Sequence, residues 1–388
     1  MQIFHQSPTD PAFVQNPYPF YERLRAAGPL SVWADNGMPV ASSHEMVNAL
    51  LRNRRFGRED PAPPPRPPHQ AGFWAIEDHS MLELEAPRHT RLRGSVLRAF
   101  TSGRIRALQP QIAQLASDLI DDFPSGPFDL LDAFARPLPV RVIARFLGVP
   151  EGDAPHLLRW SNAMVGMYQA NRTHAAEVAA AQAATEFASY LDDIFRAPRP
   201  DSLISDLLVL ADTEQLSLAE VTATCVLLLN AGHEATVHTI GNGVAGLLSA
   251  GLWGTAVTPE LIEEVLRHDP PLHMFTRYAM QDVEIGGHAF VRGDRVGLLL
   301  GAANRDPLVY DDPNTFDPHR FPDAPTGTSF GAGAHFCIGA PLARLELLEG
   351  FSHLADRCPG LTLSEEPAFA DIYHFHGLDR LVVTLDRA

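Results

Sequence analysis

Lysine is missing from this 388-residue chain: all thirty basic residues are arginine, and forty-seven acids leave a net charge of −17 with histidine neutral. So acidic a chain is excluded as a general binder of nucleic acid or other polyanions. Long apolar runs are missing too, none approaching the roughly eighteen residues a membrane span needs, so no membrane anchor is expected. A composition 45% hydrophobic and 20% charged excludes intrinsic disorder. Cysteine is scarce. Cys225, Cys337 and Cys358, odd in number and without a C-x-x-C, exclude a disulfide framework and a four-thiolate zinc site, so cysteine chemistry here means a single thiol. The opening residues Met1 to Pro8 have neither a basic segment nor an apolar stretch with a cleavage site, and a cytoplasmic protein is expected.

Repeats are absent, and one biased segment, residues 60–69 (DPAPPPRPPH), reads as an extended loop because its prolines forbid helix. Residues 111–122, 175–195 and 216–248 carry apolar residues at three- and four-residue intervals without internal proline and predict helices, the last two long. Strand signals lie at 30–33, 39–41 and 283–291, where Gly286-Gly287 reads as a hairpin turn. The expected class is mainly α with a minor β part. From Gly301 to Gly339, Asp, Pro, Asn and Gly spaced through aromatics predict a coil about forty residues long, a length that usually has a functional reason.

That coil ends in F-G-A-G-A-H-F-C-I-G-A-P-L-A-R, residues 330–344, with Pro341 suited to the first turn of a following helix. Cys337 therefore precedes a helix N-terminus, where unpaired N–H groups and the helix dipole favour a thiolate and lower its pKa. Gly331 and Gly333 permit a tight turn, and Gly339 lets a flat object approach the helix start. Three other readings stand beside this one. A dinucleotide loop needs glycine where Phe336 stands, a zinc site needs further ligands close by, and a bare reactive cysteine needs nothing more.

The loop resembles that of the cytochrome P-450 family of haem-thiolate monooxygenases, F-x-x-G-x-H-x-C-x-G followed by a helix with A-R; Phe330, Gly333, His335, Cys337, Gly339 and Ala343-Arg344 match. Further motifs follow in family order over nearly the whole chain. The resemblance implies a cytochrome P-450 fold, with haem between a long distal helix and a proximal cysteine-loop helix. It makes Cys337 the axial ligand of the iron of haem b (iron protoporphyrin IX), a thiolate being the ligand that favours O–O cleavage. It also implies one domain over 1–388: a β-containing part at about 1–60, a helical core at about 85–270, and hairpins, coil and cysteine loop at about 271–388.

Glu264 and Arg267 form an E-x-x-R, which alone would be a solvated surface pair; the resemblance implies a buried structural pair completed by Arg320. Haem propionates need cationic or hydrogen-bonding partners, and the family positions fall on His89, Arg93, Arg277 and His335. In L-L-L-N-A-G-H-E-A-T-V-H, residues 227–238, a zinc-protease reading fails because His233 and His238 are five apart and point about 140° away from each other at roughly 100° per residue. Close helix packing would explain Gly232 by itself. The segment resembles the family's A-G-x-[D/E]-T, in which the glycine opens a groove for O2 and the acid and alcohol relay protons to it. Ala231, Gly232 and Glu234 match, but Ala235 stands at the alcohol position. A polar group of the substrate, a fixed water or Thr236 is expected to substitute for the missing hydroxyl. Only 28 residues lie between Ala235 and Glu264, so a trimmed or irregular connection is expected.

Residues 86–106 hold six arginines and no acid. They read as a solvated helix face or, by resemblance, as part of the surface where a small acidic redox protein docks. The implied partner is a separate ferredoxin or flavodoxin with its reductase. Pocket candidates by family position are Phe73, Trp74, Met164, Met167, Tyr168, Leu228, His273, Met274, Phe275 and residues 373–376, including Phe375; each could equally be core packing. Together they suit a hydrophobic small molecule. The expected activity is insertion of one atom of O2, with two alternatives: a peroxide-driven peroxygenase, or a haem-thiolate protein that binds or senses without turnover.

Overall fold

The structure is a computed structural model that describes residues 1–169, 172–213, 215–373 and 375–386, so His374 of the pocket candidates lies outside the described residues. The N-terminal part contains β1 (Ile3–Phe4), β2 (Ser31–Trp33), β3 (Met38–Ala41) and β4 (Phe56–Gly57), and also helices α1 (Pro11–Gln15), α2 (Tyr18–Ala26) and α3 (His44–Arg52). Helix outweighs strand there. The helices are too short for periodicity to announce; local caps start α1 and α3, where the Asp10 carboxylate accepts from Phe13 N and the Ser43 hydroxyl from Met46 N.

The chain then runs through α4 (Ala71–Glu77), α5 (Arg88–Ala99), α6 (Ser102–Asp121), β5 (Phe128–Asp129), α7 (Pro137–Leu147), α8 (Ala154–Val165), α9 (His174–Arg196), α10 (Leu203–Asp212), α11 (Leu218–Ser249) and α12 (Pro259–His268). The expected start of α6 at residue 111 is corrected to Ser102, behind the Thr101 cap. Pro110 lies inside the helix on its exposed side, where water can satisfy the carbonyl its missing N–H abandons. α11 begins in a capping box of Ser217 and Glu220, and buried residues occupy every face of it, as befits a helix through the centre of a core. It packs against α7, α8, α10 and α12. Between α11 and α12, Gly251 and Gly254 take positive φ in an irregular link.

After α12 come β6 (Met274–Ala279), the hairpin β7 (Val283–Ile285) and β8 (His288–Phe290), β9 (Arg295–Leu299) and α13 (Leu300–Ala303). Gly286 and Gly287 form the predicted turn, both at positive φ as a type I′ turn demands. The expected coil is irregular except for α13 at its start and a 3₁₀ turn, Gly333–His335, near its end. α14 (Ala340–Arg357) leads to β10 (Leu361–Leu363), β11 (Ala368–Phe369), β12 (Leu378–Arg380) and β13 (Val382–Leu385).

One sheet has the order β1-β2-β3-β9-β6-β4, so strands from both ends of the sequence share it. A second, β10-β13-β5, ties the C-terminus to β5, a strand inside the stretch expected to be helical. Two residues long and framed by helices, β5 exists through its pairing with β13.

Candidate active site

Cys337 lies between the coil and α14. Its backbone N–H donates to Phe330 O (3.0 Å), while Gly331 and Gly333 turn the chain at φ +67° and +71°. A Cβ on Gly333 would meet Leu51 O at 2.5 Å, so the loop is seated directly on the end of α3. The expected lowering of the thiol pKa is corrected: burial pushes it up, outweighing the backbone N–H groups of Gly339 and Ala340 and the charges of Arg93 and Arg344. A half-buried sulfur facing two backbone N–H groups that stabilise its thiolate suits a metal ion, which deprotonates a coordinating thiol outright. Cys225, fully buried with its thiol pushed up to about 12, and buried Cys358 offer nothing comparable.

Around this loop gather Arg58, Glu83, Glu85, His89, Arg93, Arg277 and His335. The Arg93 Nη2 donates to Phe336 O (2.5 Å), His335 Nε2 lies 2.9 Å from Glu85 Oε1, and the His335 and His89 rings are 4.2 Å apart. Burial, then the charge of His335, pushes His89 down to about 4; burial, then Arg58, pushes Arg277 down to about 9. Arg277 is 3% exposed, yet its hydrogen bond among the described residues is one donation to Thr276 O. Arg58 Nε is buried without a partner among the described residues. Three arginines thus face two glutamates, Glu83 and Glu85. Buried cations with idle donors and a surplus of positive charge fit the paired carboxylates of haem. Arg58 and Glu85 escaped sequence reading because neither belongs to a motif; their position follows from β4, which pairs with the strand that carries Arg277.

The structure brings Glu264, Arg267 and Arg320 together. Arg267 donates to both Glu264 oxygens (2.6 and 2.7 Å) and to Asn304 O, Pro313 O and Thr315 O. Arg320 Nε approaches Glu264 at 3.3 Å, and Asp317 N donates to it at 2.8 Å. Both members of the E-x-x-R are fully buried.

On α11, Gly232 faces Ile143 of α7, with room for ordinary contact. His233 and His238, which cannot share a metal, instead flank one carboxylate: each Nε2 is 3.5 Å from a different oxygen of Glu234. Burial alone would raise the Glu234 carboxyl, but His238 and His233 outweigh it and hold it below its ordinary value. His233 Nε2 and both ring nitrogens of His238 are buried without hydrogen-bond partners among the described residues. The Thr236 hydroxyl donates to Gly232 O and that of Thr239 to Ala235 O, so both neighbouring alcohols spend their protons on the helix backbone. Gly377 presses on the His238 imidazole, where a Cβ would lie 1.9 Å from Nδ1.

The pocket candidates separate. Phe73, Met164, Met167 and Leu228 are buried in one apolar cluster, with Tyr168 against it and Asn230 Nδ2 3.9 Å from the Met164 sulfur. Trp74 is also against that cluster but is covered by the Arg66 guanidinium at 3.9 Å. Phe275 stands beneath Arg58 and Arg277, beside Gly331, against a separate apolar cluster that includes Leu51 and Leu298. Phe375 lies 5.6 Å from His238. His273 is hydrogen-bonded to Tyr21 (3.0 Å) in a buried network with Asp269 and His376. Sequence reading missed Glu77, which burial raises to about 7 and which bonds the Tyr168 hydroxyl. Of the six arginines in residues 86–106, Arg91 is paired with Glu220 and Arg104 with Asp206, so the local charge is smaller than the count suggests.

Residues 256–358 match the pattern of the family described as Cytochrome P450. The chain is 34% identical to the biotin biosynthesis cytochrome P450 of Bacillus subtilis (strain 168), over 96% of this chain and 97% of that one. It is 35% identical to the cytochrome P450 monooxygenase PikC of Streptomyces venezuelae, over 92% and 87%. Among solved structures, CalO2 superposes with a TM-score of 0.90 at 32% identity, covering 98% of this chain and 99% of that one. P450BioI, in complex with an acyl carrier protein bearing hexadec-9Z-enoic acid, gives 0.89 at 33%, covering 97% and 100%. No helix among the described residues is long and apolar enough to cross a membrane. With its fold shared over nearly its full length by proteins that bind haem through a cysteine, the chain belongs to the cytochrome P450 family of haem-thiolate monooxygenases.

Proposed function

We propose that Cys337 is the iron ligand, that Arg93, Arg277, His89 and His335, with Arg58, receive the haem propionates, and that the chain acts as one domain on a hydrophobic small molecule held under α4 and α8. The observation that carries this reading is the half-buried Cys337 sulfur, facing the backbone N–H groups of Gly339 and Ala340, beside a cationic cluster with unspent hydrogen bonds. Bound haem supplies the activation of O2 and its transfer to carbon.

The residues supply the rest. Phe73, Met164, Met167 and Leu228 exclude water from the substrate side. Glu234, held ionised between two histidines, stands where protons enter from solvent, and the unpartnered imidazole nitrogens of His233 and His238 extend that path. Ala235 contributes no hydroxyl and the protons of Thr236 and Thr239 are committed, so a polar group of the substrate completes the delivery. Electrons come in the cytoplasm from a ferredoxin or flavodoxin, drawn to Arg88, Arg98 and Arg106, which have no carboxylate partner among the described residues.

A reduced, carbon monoxide-treated difference spectrum tests the ligand: a strongly red-shifted Soret band lost in Cys337→Ala is expected, and a band at the position of imidazole-ligated haem overturns the assignment. For the proton route, a substrate analogue lacking the polar group is expected to uncouple NAD(P)H use from product. Equal coupling with both compounds would remove the substrate from the relay.

A further inference from the structure

The loop before α4 meets the first turn of α9 through three metal-capable side chains. His69, in the 3₁₀ turn Pro68–Gln70, places Nε2 2.8 Å from Glu177 Oε2, and its ring lies 4.3 Å from that of His174 in a perpendicular arrangement. His174 and Glu177 stand i, i+3 on α9, on one side of the helix. One ligand atom from each of the three comes within 4.8 Å of the others. His174 is exposed and has no hydrogen bond among the described residues, so its ring is free to turn. The other Glu177 oxygen accepts from Arg172 Nε at 2.9 Å, a half-exposed guanidinium that can withdraw into solvent.

We propose that His69, His174 and Glu177 form a site for a divalent transition metal of the zinc type. Two imidazoles and one carboxylate with an open fourth position make a donor set that such ions take at about 2.0–2.2 Å, and imidazole selects them over calcium or magnesium. His69 Nε2 is already oriented toward Glu177, and the three ligands come from two segments far apart in sequence, so the ion crosslinks them. Arg172 and the positive end of the α9 dipole oppose a cation and limit its affinity.

The crosslink has a mechanical consequence, which rests on the substrate side proposed above. α4 carries Phe73 and is packed so closely on α9 that a Cβ on Gly72 would lie 2.5 Å from Ala181 O. The 3₁₀ turn Gly166–Tyr168, which packs on α9, carries Met167 and Tyr168, and Tyr168 is bonded to Glu77 at the end of α4. Metal at His69 therefore fastens together the two segments that cover the substrate side and slows passage between them.

The test uses untagged holoprotein, freed of metal by chelator and titrated calorimetrically with zinc chloride. One equivalent is expected to bind, with affinity at least tenfold weaker in His174→Ala and in Glu177→Gln and several-fold tighter in Arg172→Ala. The carbon monoxide spectrum of each variant reports that haem and fold are intact. Absence of one-equivalent binding, or the same affinity in His174→Ala, overturns the site. The fastening is read separately from the stopped-flow association of 4-phenylimidazole: zinc is expected to slow it several-fold in the parent and not in His174→Ala, and zinc binding with unchanged azole kinetics overturns the fastening. Because zinc affinity is measured without reference to the iron ligand, failure of this site and failure of the Cys337 assignment give different results.

Discussion

Two buried arginine clusters in this protein look alike in composition and differ in how their donors are used. Arg267 reaches Glu264 twice and three backbone carbonyls, so its charge and its hydrogen bonds are met within the protein. Arg277 is almost as deeply buried, with one donation to the carbonyl of its own neighbour. Filled donors mark a cluster that holds the coil around Asn304, Pro313 and Thr315 in place. Idle donors mark the one proposed to receive the haem propionates, because a buried cation left unpaired costs too much to be kept for packing alone.

The largest effect should come from the filled cluster. Glu264→Ala leaves Arg267 and Arg320 without their carboxylate and is expected to cost about 3–5 kcal/mol in denaturant unfolding; a loss below about 1 kcal/mol would erase the contrast. Glu77, a buried acid with one polar partner, is the intermediate case. Its carboxyl is raised from 4.5 to about 7, first by burial, so the folded protein holds a proton that the unfolded chain releases between those values. Stability must therefore fall as pH rises from 4.5 to about 7 and level off above. At about 1.4 kcal/mol per pH decade the fall is about 3 kcal/mol. The difference between parent and Glu77→Gln unfolding curves, measured from pH 4.5 to 8, should show it, and a flat difference removes the burial argument.

The idle cluster should respond in the opposite sense. Arg277→Met is expected to leave unfolding stability within about 1 kcal/mol of the parent while haem retention under mild urea weakens by about 1.5–3 kcal/mol, the worth of a charged hydrogen bond. A large stability loss with unchanged haem retention would make this cluster structural as well. Asp132→Asn, breaking the exposed i, i+4 pair with Arg136, sets the baseline: about 0.5 kcal/mol or less in thermal unfolding, as for other solvated pairs.

The cysteine loop, the E-x-x-R and the long helices α9 and α11 were legible because each is a local pattern: fixed spacing, glycine where the chain turns, apolar residues at helical intervals. Arg58, Glu83, Glu85 and Glu77 were not, since each acquires its role from a partner distant in sequence. The same holds for β5, which needs β13, and for α1 and α2, which pack Phe13, Phe20, Tyr21 and Leu24 with Trp33 in one cluster. Pro110 misled because a proline on the wet side of a helix costs less than one facing the core. The arginine run at 86–106 overstated its charge because Glu220 and Asp206 answer it from other helices.

The contact of Gly377 with His238 bears on how this enzyme can diversify. Residue 377 has no room for even a methyl group beside that imidazole, and Asn242 Nδ2 anchors the preceding carbonyl, His376 O, at 2.7 Å. Any enlargement at 377 would displace the imidazole beside Glu234, so on the proton route proposed above a change of that one residue would alter both the shape of the site and its proton supply. Selection for new substrates from a library randomised at residues 375 and 377 should accordingly return glycine at 377 in every active clone while residue 375 varies.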